Sequence, residues 1–327
     1  MSTAPLLSVR DAARRFPVRA EGLFGARRHV HAVDGISLDI PAGITQGLVG
    51  ESGCGKTTLG RLILGMDRPD AGEIAFRGTP LRDHLAADFK GFRRTVQIVH
   101  QNALGALDPR RKIGWQLAEP LDIHGIGDAR ERAERVAAIM AAVDLPPEVA
   151  DSFPHQLSGG QAQRAVIGRA LITDPEFIVC DEPVASLDVS IQARIISLLA
   201  DLQARLGMAV LFISHDLRVV KRLCHRVAVM YLGQIVEEGE TDDVIASPRH
   251  PYTASLISSV PELRRRRSGE RIILSGDPPS PIDPPPGCRF RTRCPWARPE
   301  CGARVPGLAD LGNGQKVRCF FPLEKNS

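Results

Sequence analysis

No apolar run in the 327 residues approaches the roughly 18 to 20 residues that a membrane-spanning helix needs. The N-terminus, MSTAPLLSVRDAARRF, has no long apolar core behind its charges, so no secretory signal is expected. Nor is there an excess of one charge. Forty-two basic against 38 acidic residues leave a formal net charge of +4, which makes no general case for nucleic-acid binding. Aromatic residues are only 5% of the chain, within an otherwise ordinary α/β composition of 43% hydrophobic and 24% charged residues. No internal repeat is found. These absences point to a soluble protein kept in the cytosol, with room to dock on a membrane partner.

What is present is organised in blocks. Residues 1 to about 110 alternate short strand-like runs (LLSVR, SLDI, ITQGLVG, EIAFRG and TVQIVH) with turns and one clear helix from Lys56 to about Gly65. From about 113 to 160 the spacing is helical, as in DARERAERVAAIMAAVDL, with no strand candidate. FIVCDE (177–182) and AVLFIS (209–214) are short and almost wholly apolar, as central parallel strands buried on both faces must be. A helix over Ile191–Arg205 separates them, and the hairpin-like VAVMYLGQIVEEG and a short helix near 242–246 follow. Residues 1–260 therefore read as one α/β domain with a helical insertion. Residues 261–287 read as a linker containing the basic run Arg264–Arg267 and the proline-rich SGDPPSPIDPPPG. Residues 288–327 form a cysteine-rich extension.

Three motifs carry chemistry. Gly50-Glu51-Ser52-Gly53-Cys54-Gly55-Lys56-Thr57 fits G-x-x-x-x-G-K-[ST] between a strand and a helix. Its glycines let the backbone N–H groups wrap a triphosphate, and the helix N-terminus adds to the attraction for negative charge. Lys56 is expected to reach the β- and γ-phosphates and Thr57 to place its hydroxyl on Mg²⁺. Thr58, the next residue, is counted with them as a nucleotide contact. The strand Phe177–Glu182 ends in two carboxylates, which is costly unless something cationic lies at its tip. Asp181 is expected to hold Mg²⁺ and Glu182 to act as general base on the attacking water. Leu157-Ser158-Gly159-Gly160-Gln161 forms a second anion nest at a helix N-terminus. The helical insertion holds this nest away from the chain's own phosphate loop, so a two-fold dimer is the expected way to bring the two together. Gln101, after TVQIVH, is placed to orient water and Mg²⁺; His215, after AVLFIS, to contact the γ-phosphate.

Cysteine use is lopsided. Cys54, Cys180 and Cys224 are scattered, whereas Cys288, Cys294, Cys301 and Cys319 fall in the last forty residues with spacing C-x5-C-x6-C-x17-C. In a cytosolic protein such a cluster reads as ligation before disulfides. It lacks the tight C-x-x-C pairs of a common zinc ribbon. Four thiolates suit either Zn²⁺ or a [4Fe–4S] cluster, and unligated reduced thiols are the third reading.

In this order the motifs resemble the nucleotide-binding subunits of ABC transporters over about residues 5–260. The resemblance implies a P-loop ATPase core with a mostly parallel sheet, an N-terminal antiparallel β subdomain, the helical insertion and the cysteine-rich extension. It names Gly50–Thr57 as Walker A, Gln101 as the Q-loop, Leu157–Gln161 as the signature, Phe177–Glu182 as Walker B and His215 as the switch histidine. Asp188, in Ser186-Leu187-Asp188, matches the D-loop, and Phe16 the aromatic that stacks on adenine. SPRHPYTASLISSVP and PSPIDPPPGCRFRTRCPWARPEC resemble the C-terminal extension of dipeptide, oligopeptide and nickel import ATPases, which implies the iron–sulfur cluster. The expected partners are a second ATPase subunit, identical or paralogous, two membrane permeases, and indirectly an extracytoplasmic solute-binding protein. The expected location is the cytoplasmic face of the inner membrane. The stretch His100-Gln101-Asn102-Ala103-Leu104-Gly105 departs from the family's aromatic-Gln-Asp-Pro pattern in a loop that faces the permease. Soluble ABC ATPases of DNA repair or translation usually carry two tandem cores or a long coiled-coil insertion, and neither occurs here.

Overall fold

A computed structural model of the chain describes residues 4–18 and 28–260, and residues 272–324 apart from 273, 275 and 313. The basic run Arg264–Arg267 lies outside the described residues.

Two sheets share one interior. The smaller is antiparallel, in the order β2-β1-β4-β5, from β1 (Leu7–Val18), β2 (Arg28–Ile40), β4 (Ala71–Phe76) and the two-residue β5 (Thr79–Pro80). The larger begins with β3 (Thr45–Val49), β6 (Val96–Val99), β7 (Phe177–Asp181), β8 (Ala209–Ser214) and β9 (Arg226–Tyr231). These run parallel, in the order β9-β3-β8-β7-β6. β10 (Gln234–Glu240) turns back antiparallel on β9, and two short strands of the C-terminal extension, β11 (Ala309–Asp310) and β12 (Lys316–Val317), continue the sheet beyond it. The extension is thus hydrogen-bonded to the core through Glu237 and Glu238 opposite Val317 and Lys316.

The parallel strands are apolar on both faces because each face meets a different core. Ile178, Cys180, Val210, Phe212, Val227 and Val229 face a cluster built with the helical side of the molecule. Their neighbours Phe177, Val179, Leu211, Ile213, Ala228 and Met230 face the antiparallel sheet and helix α1 (Lys56–Ile63). A period of two residues sorts the side chains between the cores. At about 25 cal/mol per Å² of apolar surface this double burial is the main stabilising term.

The helical region begins with α5 (Ile113–His124) and α6 (Ala129–Ala142), the latter opened by a reciprocal Asp128–Glu131 capping box. Two 3₁₀ turns, Pro147–Asp151 and Pro154–Gln156, lead to α7 (Gly159–Leu171). The first block holds more helix than its apolar periodicity indicates: α2 (Leu81–Ala87), α3 (Phe89–Thr95) and α4 (Ala103–Ala106) join the single helix expected there. They are at most seven residues long, too short to show a period. The Asp88 and Asn102 side chains, which accept from Gly91 N–H and Gly105 N–H, start two of them. α8 (Val189–Leu206) precedes β8, with α9 (Leu217–Leu223), α10 (Thr241–Ala246) and α11 (Pro251–Ser258) after it.

α11 is started by His250, whose buried ring accepts the Tyr252 N–H at Nδ1 (3.1 Å). That acceptor role requires a neutral ring, and burial holds its pKa down to about 3. The unfolded chain takes up a proton near the ordinary value of 6.5, so between these values it binds more protons than the native state. The stabilisation is therefore complete above about pH 6.5 and is lost as the pH falls toward 3. Thermal midpoints should drop as the buffer goes from about pH 7 to about pH 4, and His250→Asn, which keeps a capping acceptor that does not titrate, should flatten the slope. An equal slope in both proteins would remove His250 as a cause.

Candidate active site

The parallel register sets the site. Val49 lies opposite Ser214, Ile213 opposite Asp181, and Cys180 opposite Val99. The chain segments that leave β3, β8, β7 and β6 at their carboxyl ends therefore emerge side by side. They carry the phosphate loop, His215, Glu182 and Gln101 respectively.

The loop is pressed against its neighbours. Gly55 has φ of +107°, and a Cβ there would lie 1.9 Å from the Ala32 carbonyl oxygen, so only glycine fits. Cys54 accepts from Gly233 N–H in the β9–β10 turn (2.9 Å), and that turn accepts from Asp34 N–H through the Gly233 carbonyl (2.9 Å). The Lys56 side chain is buried and curls back, donating from Nζ to the carbonyls of Gly50 (2.8 Å) and Glu51 (3.0 Å). Ser52, Gly53 and Thr57 are exposed, and Thr58 is half-buried in the first turn of α1. The Cys54 thiol is buried beside Lys56, and burial pushes its pKa up, leaving a poor nucleophile.

At the tip of β7 the two carboxylates separate in role. Thr57 Oγ1 donates to Asp181 Oδ1 (3.2 Å). Burial raises the Asp181 pKa; the Thr57 hydrogen bond and the Lys56 charge oppose that rise, while Glu182 adds to it. A carboxylate held at this cost is one that a bound cation would relieve. Glu182 stands just beyond the strand with φ of +45°, a left-handed conformation uncommon for a residue with a side chain, and its N–H donates to the Ile213 carbonyl (3.0 Å). Its Oε2 accepts from Gln101 Nε2 (3.4 Å) and lies 3.3 Å from His215 Nδ1. Gln101, Glu182 and His215, from three separate strands, thus meet at one oxygen. Thr57 and Asp181 lie beside them, so the five side chains form one cluster at the end of the phosphate loop.

The other expected residues lie apart from this group. Ser158 caps α7: its Oγ accepts from Gln161 N–H (3.3 Å) and Gln161 Oε1 accepts from Ser158 N–H (3.0 Å). Ser158 and Gly159 are exposed and Gly160 is buried. Among the described residues no hydrogen bond joins Ser158 to the phosphate loop. Asp188 caps α8 through Ile191 N–H (2.9 Å), which holds its carboxyl below the usual range. Phe16 is half-buried near the end of β1, with the Arg14 guanidinium 4.9 Å from its ring centre. All four tail cysteines, with Phe290 and Trp296, line one small cavity. Burial pushes Cys294 and Cys319 up to about 11 and raises Cys288 as well. Among the described residues no group of three or more His, Cys, Asp or Glu side chains is set to hold a metal ion.

Two residues at the loop went unforeseen. Tyr252 accepts the Glu51 N–H at its hydroxyl (2.9 Å), and Arg293 pairs with the Glu51 carboxylate (2.9 and 3.1 Å). Both are remote in sequence from the loop, and neither sits in a spacing with chemical meaning.

The family described as ABC transporter matches residues 33–185, and that described as oligopeptide/dipeptide transporter, C-terminal region, matches residues 236–301. The dipeptide transport ATP-binding protein DppF of Escherichia coli is 46% identical over 97% of this chain and 94% of its own. The oligopeptide transport ATP-binding protein AppF of Bacillus subtilis is 43% identical over 97% of both. Among solved structures, a dimeric bacterial ABC transporter cassette, MJ0796, matches with a TM-score of 0.64 at 26% identity, over 72% of this chain and 98% of its own. The cbiO1 protein of Clostridium perfringens, part of an ABC transporter complex, gives 0.64 at 26% identity, over 75% and 92%. The chain belongs to the ABC transporter ATP-binding proteins, in the branch that carries the oligopeptide/dipeptide transporter C-terminal region.

Gly55→Ala should cost about 1–3 kcal/mol or more of stability through overpacking and abolish nucleotide binding. Thermal melting and nucleotide titration check this, and an alanine variant that binds as the wild type does would show that the loop relaxes freely.

Proposed function

We propose that this chain is the ATP-hydrolysing subunit of an importer for peptides, working at the cytoplasmic face of the inner membrane as half of an ATPase pair on two permeases. The observation that carries the catalytic part is the meeting of Gln101, Glu182 and His215 at Glu182 Oε2, beside Thr57 and Asp181. The peptide part rests on the similarity to DppF and AppF over nearly the whole chain. Among the described residues no helix is long and apolar enough to cross a membrane, so the path for the solute belongs to the permeases.

In this reading Lys56 leaves the carbonyls of Gly50 and Glu51 when a triphosphate arrives and moves to its β- and γ-phosphates, while the loop's N–H groups hold the anion. Mg²⁺, when bound with the nucleotide, would neutralise phosphate charge; Thr57 and Asp181 are the residues that would hold it, with Gln101 at the edge of the site. Glu182 takes a proton from the attacking water, and its left-handed backbone aims the carboxylate away from the strand. His215 and Gln101 orient that carboxylate and the γ-phosphate. The Gln101 hydrogen bond and the His215 contact are long, as is usual before the substrate complex tightens them. Phe16 stacks on the base.

Ser158, Gly159, Gly160 and Gln161 are proposed to close on the nucleotide of the second ATPase subunit, with Asp188 at the same interface. The exposure of Ser158 and Gly159, and of Val189 at 75%, supports a covering partner there. Leu104, 49% exposed just after Gln101, supports a permease contact. We also propose that Cys288, Cys294, Cys301 and Cys319 hold a [4Fe–4S] cluster with a structural role. That all four cysteines line one cavity supports it.

Glu182→Gln should lower turnover by about a hundredfold or more while keeping ATP affinity; unchanged hydrolysis would remove the general-base role. The isolated chain should bind ATP yet hydrolyse it slowly, and turnover should rise on assembly with the second ATPase subunit and the permeases. After anaerobic purification the cluster should show as a brown protein with bound iron and sulfide. Stoichiometric zinc in a colourless protein, or no metal at all, would overturn it.

A further inference from the structure

The cysteine-rich extension reaches the back of the phosphate loop through one buried charge. Arg293, only 9% exposed, donates from one guanidinium nitrogen to both carboxylate oxygens of Glu51. Glu51 is the second residue of the loop, and its carboxylate is the only full negative charge within Gly50–Thr57. A carboxylate there opposes the purpose of the loop, since it repels the phosphates that the backbone N–H groups and Lys56 attract. Arg293 neutralises it, and Tyr252 fixes the backbone that carries it by taking the Glu51 N–H at its hydroxyl (2.9 Å).

The supports of this clamp are themselves anchored. Tyr252, Tyr231 and Phe290 form one aromatic cluster with ring centres 4.7 to 5.4 Å apart, and Phe290 comes from the extension. Arg289, also from the extension, is buried and pairs with Asp34 and with the carbonyl of Leu232. The next residue, Gly233, donates to Cys54 within the phosphate loop. Arg293 lies between Cys288 and Cys294, two of the cysteines that line the extension's small cavity. The tight turn at Gly287, with φ of +72° and no room for a Cβ against the Cys301 carbonyl, fixes the start of this segment.

We propose that Arg293, with Tyr252, is a positioning residue for nucleotide binding: it cancels and withdraws the Glu51 charge, so that the C-terminal extension sets the affinity of the phosphate loop. The inference rests on the nucleotide-binding reading of Gly50–Thr57.

The test is a charge cycle on the full-length chain, with the dissociation constant for MgADP read by calorimetry. The pair contributes a local charge of zero in the wild type and in the double variant Arg293→Ala with Glu51→Gln. It is −1 in Arg293→Ala and +1 in Glu51→Gln. Affinity should therefore be highest in Glu51→Gln, by several-fold over the wild type. It should be similar in the wild type and the double variant, and about tenfold lower in Arg293→Ala, equivalent to about 1.4 kcal/mol. The spread should shrink at high salt only weakly, because the pair is largely buried. Equal affinity in Arg293→Ala and wild type overturns the proposal. So does a loss that Glu51→Gln fails to restore, because that loss is one of packing rather than charge. Should Arg293→Ala fail to fold, Glu51→Gln alone decides: tighter binding supports the proposal, and equal or weaker binding sinks it. A wild-type chain that binds no MgADP overturns the nucleotide site itself, a result separate from these.

Discussion

The register of the parallel strands is the constraint on which the rest of the molecule depends. Val49 beside Ser214, Ile213 beside Asp181, and Cys180 beside Val99 bring four strand ends to one edge. Each end carries one piece of chemistry, and no piece is near another in sequence. A slip of one residue would reverse the two faces of a strand, moving Phe212 and Cys180 out of one core and Leu211 and Val179 out of the other. Because both faces are buried, such a slip exchanges large side chains between two packed interiors. The cost of that exchange is what keeps Glu182 within reach of Gln101 and His215.

Charge is managed at this edge by pairing rather than by exposure. Lys56 is buried and rests on two carbonyls, Asp181 leans on the Thr57 hydroxyl, and Glu51 is held by Arg293. Each charged group would be costly where it lies if its partner were removed. The carbonyls that hold Lys56 are the weakest of these partners, since a triphosphate offers the ammonium full negative charges instead.

The core and its extension are bound by more than a linker. Glu237 is buried and accepts from the N–H groups of Arg249 and His250 and from the Gln315 side chain, so a single carboxylate joins β10, the start of α11 and the extension. Burial raises its pKa, and these donors oppose the rise. Strands β11 and β12 then add the extension to the edge of the main sheet. A segment that looks in sequence like a detached cysteine-rich tail is a wall of the ATPase core.

Much of this was legible in the residues because its causes are local. The apolar runs of β7 and β8, the strand–glycine loop–helix order at Gly50–Thr57, and the paired carboxylates after Cys180 each follow from a few adjacent side chains. The cap at Ser158 needs only Gln161 three residues on. Short helices such as α2 and α3 were hidden, since seven residues do not display a helical period. What tertiary structure alone decided is which distant groups meet. No spacing links Glu51 to Tyr252 and Arg293, which lie 201 and 242 residues away. They are joined because an aromatic cluster and an added sheet edge place the extension behind the loop. The loop residues Gly50–Thr57 could be picked out from the chain by itself. The neutralisation of the one misplaced charge among them came from packing, because only a folded surface can carry an arginine across that distance and bury it there.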